Sequence, residues 1–344
     1  MAHACIYCDA RSERYYLKDF ENEVIIKTNF DKKLDQRFKR ARKLLTDVIA
    51  PGGVNDAYQP IEKKIEHTKK VLQVIAKHKF PINIATKSNL VVRDIDILNK
   101  IATDTWCTVG FSITTTNEEL ASFLEPYSST SSERFEAIKN IKIQAPNIQV
   151  GTYFMPIIPF LEDNDENLED VIKQSKNSGA DFVLFSPGLT LRDSQADFFF
   201  KKLKDSKYNN ILKPLMELYK GQIYPPGDYV RKIHSKLFNL CKKYNISIRV
   251  KRWIPKDFRK WNYKISELLL NKEYTETLRT GKSNKTMMWA GLNLNNLEES
   301  ILDVFKRGDL SQIKNFTKNI IEFVNPYLEK TKSLKQKTGI DKFL

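Results

Sequence analysis

The stretch "INIATKS" (82–88), the helical pattern "DIDILNKIA" (94–102) and the run "CTVGFSITT" (107–115) follow one another with little between them. A β-branched run closing on polar residues, an amphipathic turn-and-a-half or more, and a second β-branched run make a βαβ pattern, whose strands lie parallel. The same alternation extends outward. Further strand candidates are "VIIK" (24–27), "TDVIA" (46–50), "IQVGTYFMPII" (148–158) and "DFVLFSPGL" (181–189). Helical patterns are predicted at roughly 32–45, 61–78, 94–103, 131–144 and 164–178. Asp94, the serines of "SSTSSERF" and Asp163 or Asn164 are placed to cap three of them, and Gly179 to end the last. The chain is therefore expected to be α/β, with an open doubly wound sheet or a barrel.

In both architectures functional residues gather at the C-terminal ends of the strands. Compact polar sets fall there: "PGGVNDAYQP" (51–60), Thr86-Lys87-Ser88, Ile113-Thr114-Thr115 and Ile157-Ile158-Pro159. After residue 190 the segments read as mainly helical, with one strand-like stretch, "ISIRVKRW" (246–253), and a fraying basic tail at 327–344. Two regions are expected, a sheet region over 1–189 and a mainly helical, basic region over 190–344.

With 41% hydrophobic and 29% charged residues, the composition is that of an ordinary globular protein. No apolar run approaches the roughly 18–20 residues of a membrane span, which predicts a cytoplasmic protein without membrane contact. The net charge of +15 is uneven. Residues 1–189 hold 25 Lys and Arg against 26 Asp and Glu; residues 190–344 hold 32 against 16. Such asymmetry points to a polyanionic partner for the second region. Within 229–264 twelve basic residues are interleaved with aromatics, and Arg252, Trp253, Arg259, Lys260 and Trp261 are the candidate nucleic-acid contacts. Amphipathic helices with packed aromatics and solvated lysines give the same pattern.

Four cysteines are too few for a disulfide framework. Cys107 and Cys241 lie in apolar surroundings and read as buried thiols. Cys5 and Cys8, in "MAHACIYCDAR" (1–11), form a C-x-x-C pair. That pair alone fits a redox dithiol, half a zinc site with His3 nearby, or part of an iron–sulfur site.

Read together, "HACIYCDARSERYY", "GGVNDAYQPIE", "ATKSNLVVRDIDIL", "GFSITT", "EPYSSTSSERFEAIKNI" and "MPIIPFLEDNDENLEDVI" resemble the spore photoproduct lyase-like radical S-adenosylmethionine proteins, a group also labelled DNA repair photolyase-like. The resemblance covers residues 3–186. It implies a partial (β/α)6 barrel and a C-x3-C-x2-C loop whose three thiolates hold a 4Fe-4S cluster, leaving one iron open for S-adenosylmethionine. Reductive cleavage then yields a 5′-deoxyadenosyl radical, with electrons from a carrier such as ferredoxin or flavodoxin and DNA or another anionic molecule as substrate.

Carried over by position, Cys5 and Cys8 would be the second and third cluster ligands, and Tyr7 would pack by the adenine. Asn55 and Asp56 would approach the methionine amino group, Lys87 its carboxylate, Ser112 the cofactor, and Ile157 and Ile158 the adenine. Glu125 and Arg134 are expected to pair. The pattern's first cysteine would stand at position 1, which is Met1, and a thioether binds iron far less strongly than a thiolate. The expectation is a truncated form lacking its first strand and first cluster cysteine. The hydrogen-donating cysteine of true spore photoproduct lyases has no counterpart near Gly52 and Gly53, so Tyr58 or Tyr15 is the candidate donor. The alternative reading is a degenerate barrel that binds nucleic acid without catalysis.

Overall fold

A computed structural model describes residues 2–17 and 19–337 of the chain. Met1 and the end of the predicted tail lie outside the described residues. Two compact units are present, residues 1–251 and 252–344.

The first unit contains α1 (Phe30–Arg40), α2 (Glu62–Ile65), α3 (His67–Lys77), β1 (Ile82–Thr86), α4 (Ile95–Asp104), β2 (Cys107–Ser112), α5 (Glu118–Leu124), α6 (Ser131–Gln144), β3 (Gln149–Ile157), α7 (Asp165–Asn177), β4 (Phe182–Pro187), α8 (Asp193–Lys204), α9 (Leu212–Tyr219) and α10 (Gly227–Lys243). The four strands pair in chain order, β1-β2-β3-β4, all parallel. Single parallel bridges, Ile49 to Ile82 and Phe182 to Ser247, extend the sheet at its two edges. Six chain segments thus run side by side, four as full strands.

Sequence and structure part at these edges. "TDVIA" contributes only the Ile49 bridge, "ISIRVKRW" only Ser247, and "VIIK" is exposed chain without strand pairing. An edge segment has one neighbour to satisfy its backbone, and propensity alone does not hold a strand there. The helix predicted over 61–78 breaks into α2 and α3 at Glu66, which takes a left-handed conformation (φ 47°). Asp94 does not cap α4; its carboxylate takes hydrogen bonds from Arg93 and Tyr58 instead. Thr130, in a capping box with Glu133, starts α6, and Asn164 caps α7.

Helices cover the sheet and share one core with it. Leu72, Leu98, Ile138, Ile172 and Leu237, one each from α3, α4, α6, α7 and α10, are completely buried against the strands. Each such residue is worth about 1.5–3 kcal/mol of burial. Cys107 and Cys241 are buried in this core as thiols. A second cluster gathers Cys5, Ile6 and Tyr7 with Leu124 of α5, Phe199 and Leu203 of α8 and Leu215 of α9. The cysteine segment is therefore packed from below by apolar side chains, and α8–α10 belong to this first unit.

The second unit holds α11 (Lys260–Thr280), α12 (Lys285–Asn295), α13 (Ile301–Arg307) and α14 (Lys318–Lys337), around Leu269, Ala290, Leu294, Ile301 and Val324. No described helix is long and apolar enough to cross a membrane.

Candidate active site

A cavity of about 380 Å³ opens at the C-terminal ends of β1–β4. Its wall includes Cys5, Tyr7 and Cys8 from the amino-terminal segment, Gly52–Asp56, Lys87 after β1, and Ser112 at the end of β2. Segments from six places in the chain converge there because parallel strands deliver their carboxyl ends to one side of the sheet.

The cysteine segment is held from three directions. Ile6 donates its N–H to the Leu124 carbonyl (2.9 Å), and Gln195 of α8 donates to the Tyr7 carbonyl (3.1 Å). Arg11 donates from Nε to the Cys5 carbonyl (3.2 Å) while its guanidinium lies between the rings of Phe20 (4.1 Å) and Phe198 (3.7 Å). Such a sandwiched, hydrogen-bonded arginine keeps its orientation. Burial pushes the Cys5 thiol up to about 12, against the pull of Lys87, and raises Cys8 as well. Both are thiols at neutral pH, so a metal that takes them as thiolates releases their protons.

Asp56 ties the loop over 51–60 to the sheet. Although burial opposes ionisation, His3 and backbone N–H groups hold its carboxyl below the ordinary range. It accepts from the Lys87 N–H (2.7 Å), the Tyr58 N–H (2.7 Å) and the Thr86 hydroxyl (2.9 Å), and His3 Nε2 lies 3.1 Å away. The other nitrogen of His3 faces the Tyr127 carbonyl at 3.2 Å. Each ring nitrogen thus faces an oxygen acceptor. Gly52 lets the loop close: a Cβ on it, at φ 79°, would stand 2.2 Å from the Asn55 carbonyl oxygen.

Beneath the cavity lies a buried charged set. Tyr7 donates its hydroxyl to Glu125, and Glu125 pairs with Arg134 at 2.6 Å, as expected from the sequence. Arg134 also donates to the carbonyls of Ser112 (2.6 Å) and Ser129 (2.9 Å). Burial works against the charge on Glu125, but Arg134 and Lys87 keep its carboxyl below the usual range. Lys87 Nζ is 3.8 Å from Glu125 and 5.8 Å from the Tyr7 ring. Burial works against its charge too, yet Glu125 holds the ammonium above its ordinary value.

Of the residues singled out from the sequence, Cys5, Tyr7, Cys8, Asn55, Asp56, Lys87 and Ser112 come together here. Ile157 and Ile158 do not: each is completely buried, one in either core, and Met155 and Pro156 form the cavity wall at β3. Tyr58 is buried with its hydroxyl on Asp94 (3.1 Å), off the cavity wall, and Tyr15 hydrogen-bonds Asp9 (2.8 Å). Ser186 and Thr190, at the end of β4, line the cavity and were missed. The rule that strand ends carry the site would have found them had it been applied to "DFVLFSPGL". Among the described residues no group of three His, Cys, Asp or Glu side chains could hold a metal ion.

Both arginines of 252–261 make contacts within the second unit. Arg252 donates to Ser266 (3.0 Å) and Asn295 (2.8 Å) and lies over the Tyr263 ring, whose edge meets Trp253. Arg259 is buried and paired with Asp257 (2.7 Å), and Trp261 packs against the helical core. Lys260 is half-buried.

No family model matches the chain. An uncharacterized protein of Mycobacterium tuberculosis is 27% identical over 251 residues, 72% of this chain and 72% of that protein. One of Methanocaldococcus jannaschii is 30% identical over 176 residues, 51% of this chain and 62% of that protein. Among solved structures, spore photoproduct lyase complexed with dinucleoside spore photoproduct matches with a TM-score of 0.52 at 15% identity, covering 70% of each chain. A mutant of that lyase with bound AdoMet and dinucleoside spore photoproduct matches with a TM-score of 0.51 at 14% identity and the same coverage. The fold is that of a partial radical S-adenosylmethionine barrel.

Proposed function

We propose that this chain is a radical S-adenosylmethionine enzyme of the spore photoproduct lyase-like kind, acting on nucleic acid or another anionic substrate. The observation that carries the reading is convergence. Two thiols, an ammonium group, a hydroxyl and a glycine-shaped loop meet in one cavity at the carboxyl ends of a parallel sheet of this fold. Cys5 and Cys8 would hold a 4Fe-4S cluster together with a third thiolate, which the C-x3-C-x2-C pattern puts where Met1 stands. Bound together, the cluster and S-adenosylmethionine supply the reductive cleavage from which hydrogen abstraction follows.

The chain's own residues bind and orient. Lys87 is the cation for the cofactor carboxylate, and Glu125 holds it in place while Arg134 offsets the carboxylate's charge. Tyr7, fixed by Glu125, gives the cavity an aromatic wall next to the cysteines. Asn55 is exposed at the cavity rim, where its side chain can meet the amino group, whereas the Asp56 oxygens are occupied in holding the loop. A protein reductant such as ferredoxin or flavodoxin would supply the electron.

The test is cluster assembly. A chain carrying Met1→Cys behind additional N-terminal residues, incubated anaerobically with iron and sulfide, should take up about four irons per chain. Adding Cys5→Ser or Cys8→Ser should abolish that uptake. No cluster with all three cysteines present would leave the alternative, a nucleic-acid-binding barrel without radical chemistry.

A further inference from the structure

The near-neutral charge of residues 1–189 conceals a local excess. Residues 27–43 and 62–79 together contain fourteen Lys and Arg against four Asp and Glu. The fold brings these stretches together, because α1 packs on α3. Phe38 stacks on Phe80 (4.4 Å), and Leu34 joins it against the core, so these two apolar residues of α1 are used in packing. Lys33, Arg37 and Arg40 follow at i, i+4 and i+7, a single stripe of the helix, and all three are exposed.

Three of the four acids of this face, all but Asp31, are already engaged. Asp35 pairs with Lys39 (2.6 Å) and Lys77 (2.9 Å), Glu62 with Arg93 (3.0 Å), and Glu66 with Lys69 (3.4 Å). Among the described residues, Lys32, Lys33, Arg37, Arg40, Arg42 and Lys43 have no ion pair. The two arginines of 252–261, by contrast, make contacts within their own unit. A run of unneutralised charges at helical spacing suits a regularly charged polymer more than a single anion.

The same face borders a groove. Phe30 and Leu34 of α1 line it, and it meets the candidate active site at Gly52, Asn55 and Asp56. Phe30 is 41% exposed, which leaves ring surface for a flat partner.

We infer that the α1–α3 face holds the sugar–phosphate backbone of a nucleic-acid strand, with a base resting against Phe30 at the groove that adjoins the cavity. The inference rests on the reading of a polyanionic substrate and assigns it a surface. The contacts are to phosphates, so binding is sequence-tolerant and falls with salt.

The experiment needs neither iron nor S-adenosylmethionine. Fluorescence anisotropy of a labelled single-stranded oligonucleotide, and of its duplex, is followed with the full chain across a salt series. The Lys33→Glu/Arg37→Glu/Arg40→Glu variant should bind at least about tenfold more weakly, and its single-strand salt slope should be shallower by roughly two. Lys33→Gln/Arg37→Gln/Arg40→Gln should lose less, and circular dichroism should match the parent for both. A control triple, Lys256→Glu/Lys282→Glu/Lys285→Glu, changes the same number of exposed cations in the second unit and should leave affinity within about twofold. Equal losses in both triples, or affinity unmoved by salt, would overturn the inference. So would binding to phosphatidylserine vesicles without binding to either oligonucleotide. Because no cofactor is present, these outcomes are independent of cluster assembly, which tests the enzymatic reading by itself.

Discussion

At the scale of single residues, the site is organised by buried ionisable groups whose states are set by burial and by one another. Glu125 and Arg134 are both nearly inaccessible, and removing either would strand the other's charge, at a cost of about 3–5 kcal/mol. Glu162 is the contrasting case. It accepts from the Ile158 N–H (2.8 Å) and is completely buried, and burial pushes its carboxyl from 4.5 up to about 8 despite Thr114 and that N–H. A carboxyl raised by folding favours the folded state below its unfolded value and loses that contribution as pH rises. Its effect is therefore whole below about pH 4.5 and gone above about pH 8. Glu162→Gln, which cannot ionise, should unfold in urea much like the parent at pH 5. At pH 9 it should be the more stable of the two by roughly 1–3 kcal/mol. Parallel pH profiles for the two proteins would show that Glu162 does not titrate in this range. The residue-scale reading of the sequence reached Cys5, Cys8 and Lys87 because strand ends and a C-x-x-C pair are local signals. It did not reach Asp56's structural role, since its partners lie 2, 30, 31 and 53 positions away.

At the scale of elements, the parallel sheet was legible and its edges were not. The strands that became β1–β4 have a neighbour on each side, counting the single bridges, and their β-branched pattern was enough to find them. "VIIK" and "TDVIA" have equal propensity but lack the flanking contacts that turn propensity into structure. The pairing itself depends on close approach. Gly151 of β3 sits where a Cβ would come 2.3 Å from the Phe182 carbonyl oxygen of β4, and 2.8 Å from the Phe182 ring. A backbone atom in a ladder cannot move aside cheaply. Gly151→Ala should therefore destabilise the protein by about 2 kcal/mol or more, seen as a lower midpoint in thermal or urea unfolding. An unchanged midpoint would mean that β3 and β4 are less tightly paired than described.

At the scale of the whole molecule, charge is distributed differently over the fold than along the chain. Counting along the chain put the polyanion-facing region after residue 190, but residues 252–261 turn their arginines and tryptophans inward, to build their own unit. An exposed stripe without ion pairs runs along α1, on the unit that also holds the cavity. A linear count could not show this, because acids elsewhere in residues 1–189 cancel α1 and α3 in the sum while lying apart from them in the fold. The proposed binding face and the cavity both lie in the first unit. The measurement that bears most directly on this account is release of 5′-deoxyadenosine from S-adenosylmethionine under dithionite, by the cluster-loaded chain carrying Met1→Cys behind additional N-terminal residues. The account predicts release that Cys8→Ser abolishes and that Lys87→Met slows about tenfold or more, as loss of a charge-paired hydrogen bond to the cofactor would. A loaded cluster with no 5′-deoxyadenosine formed would contradict it.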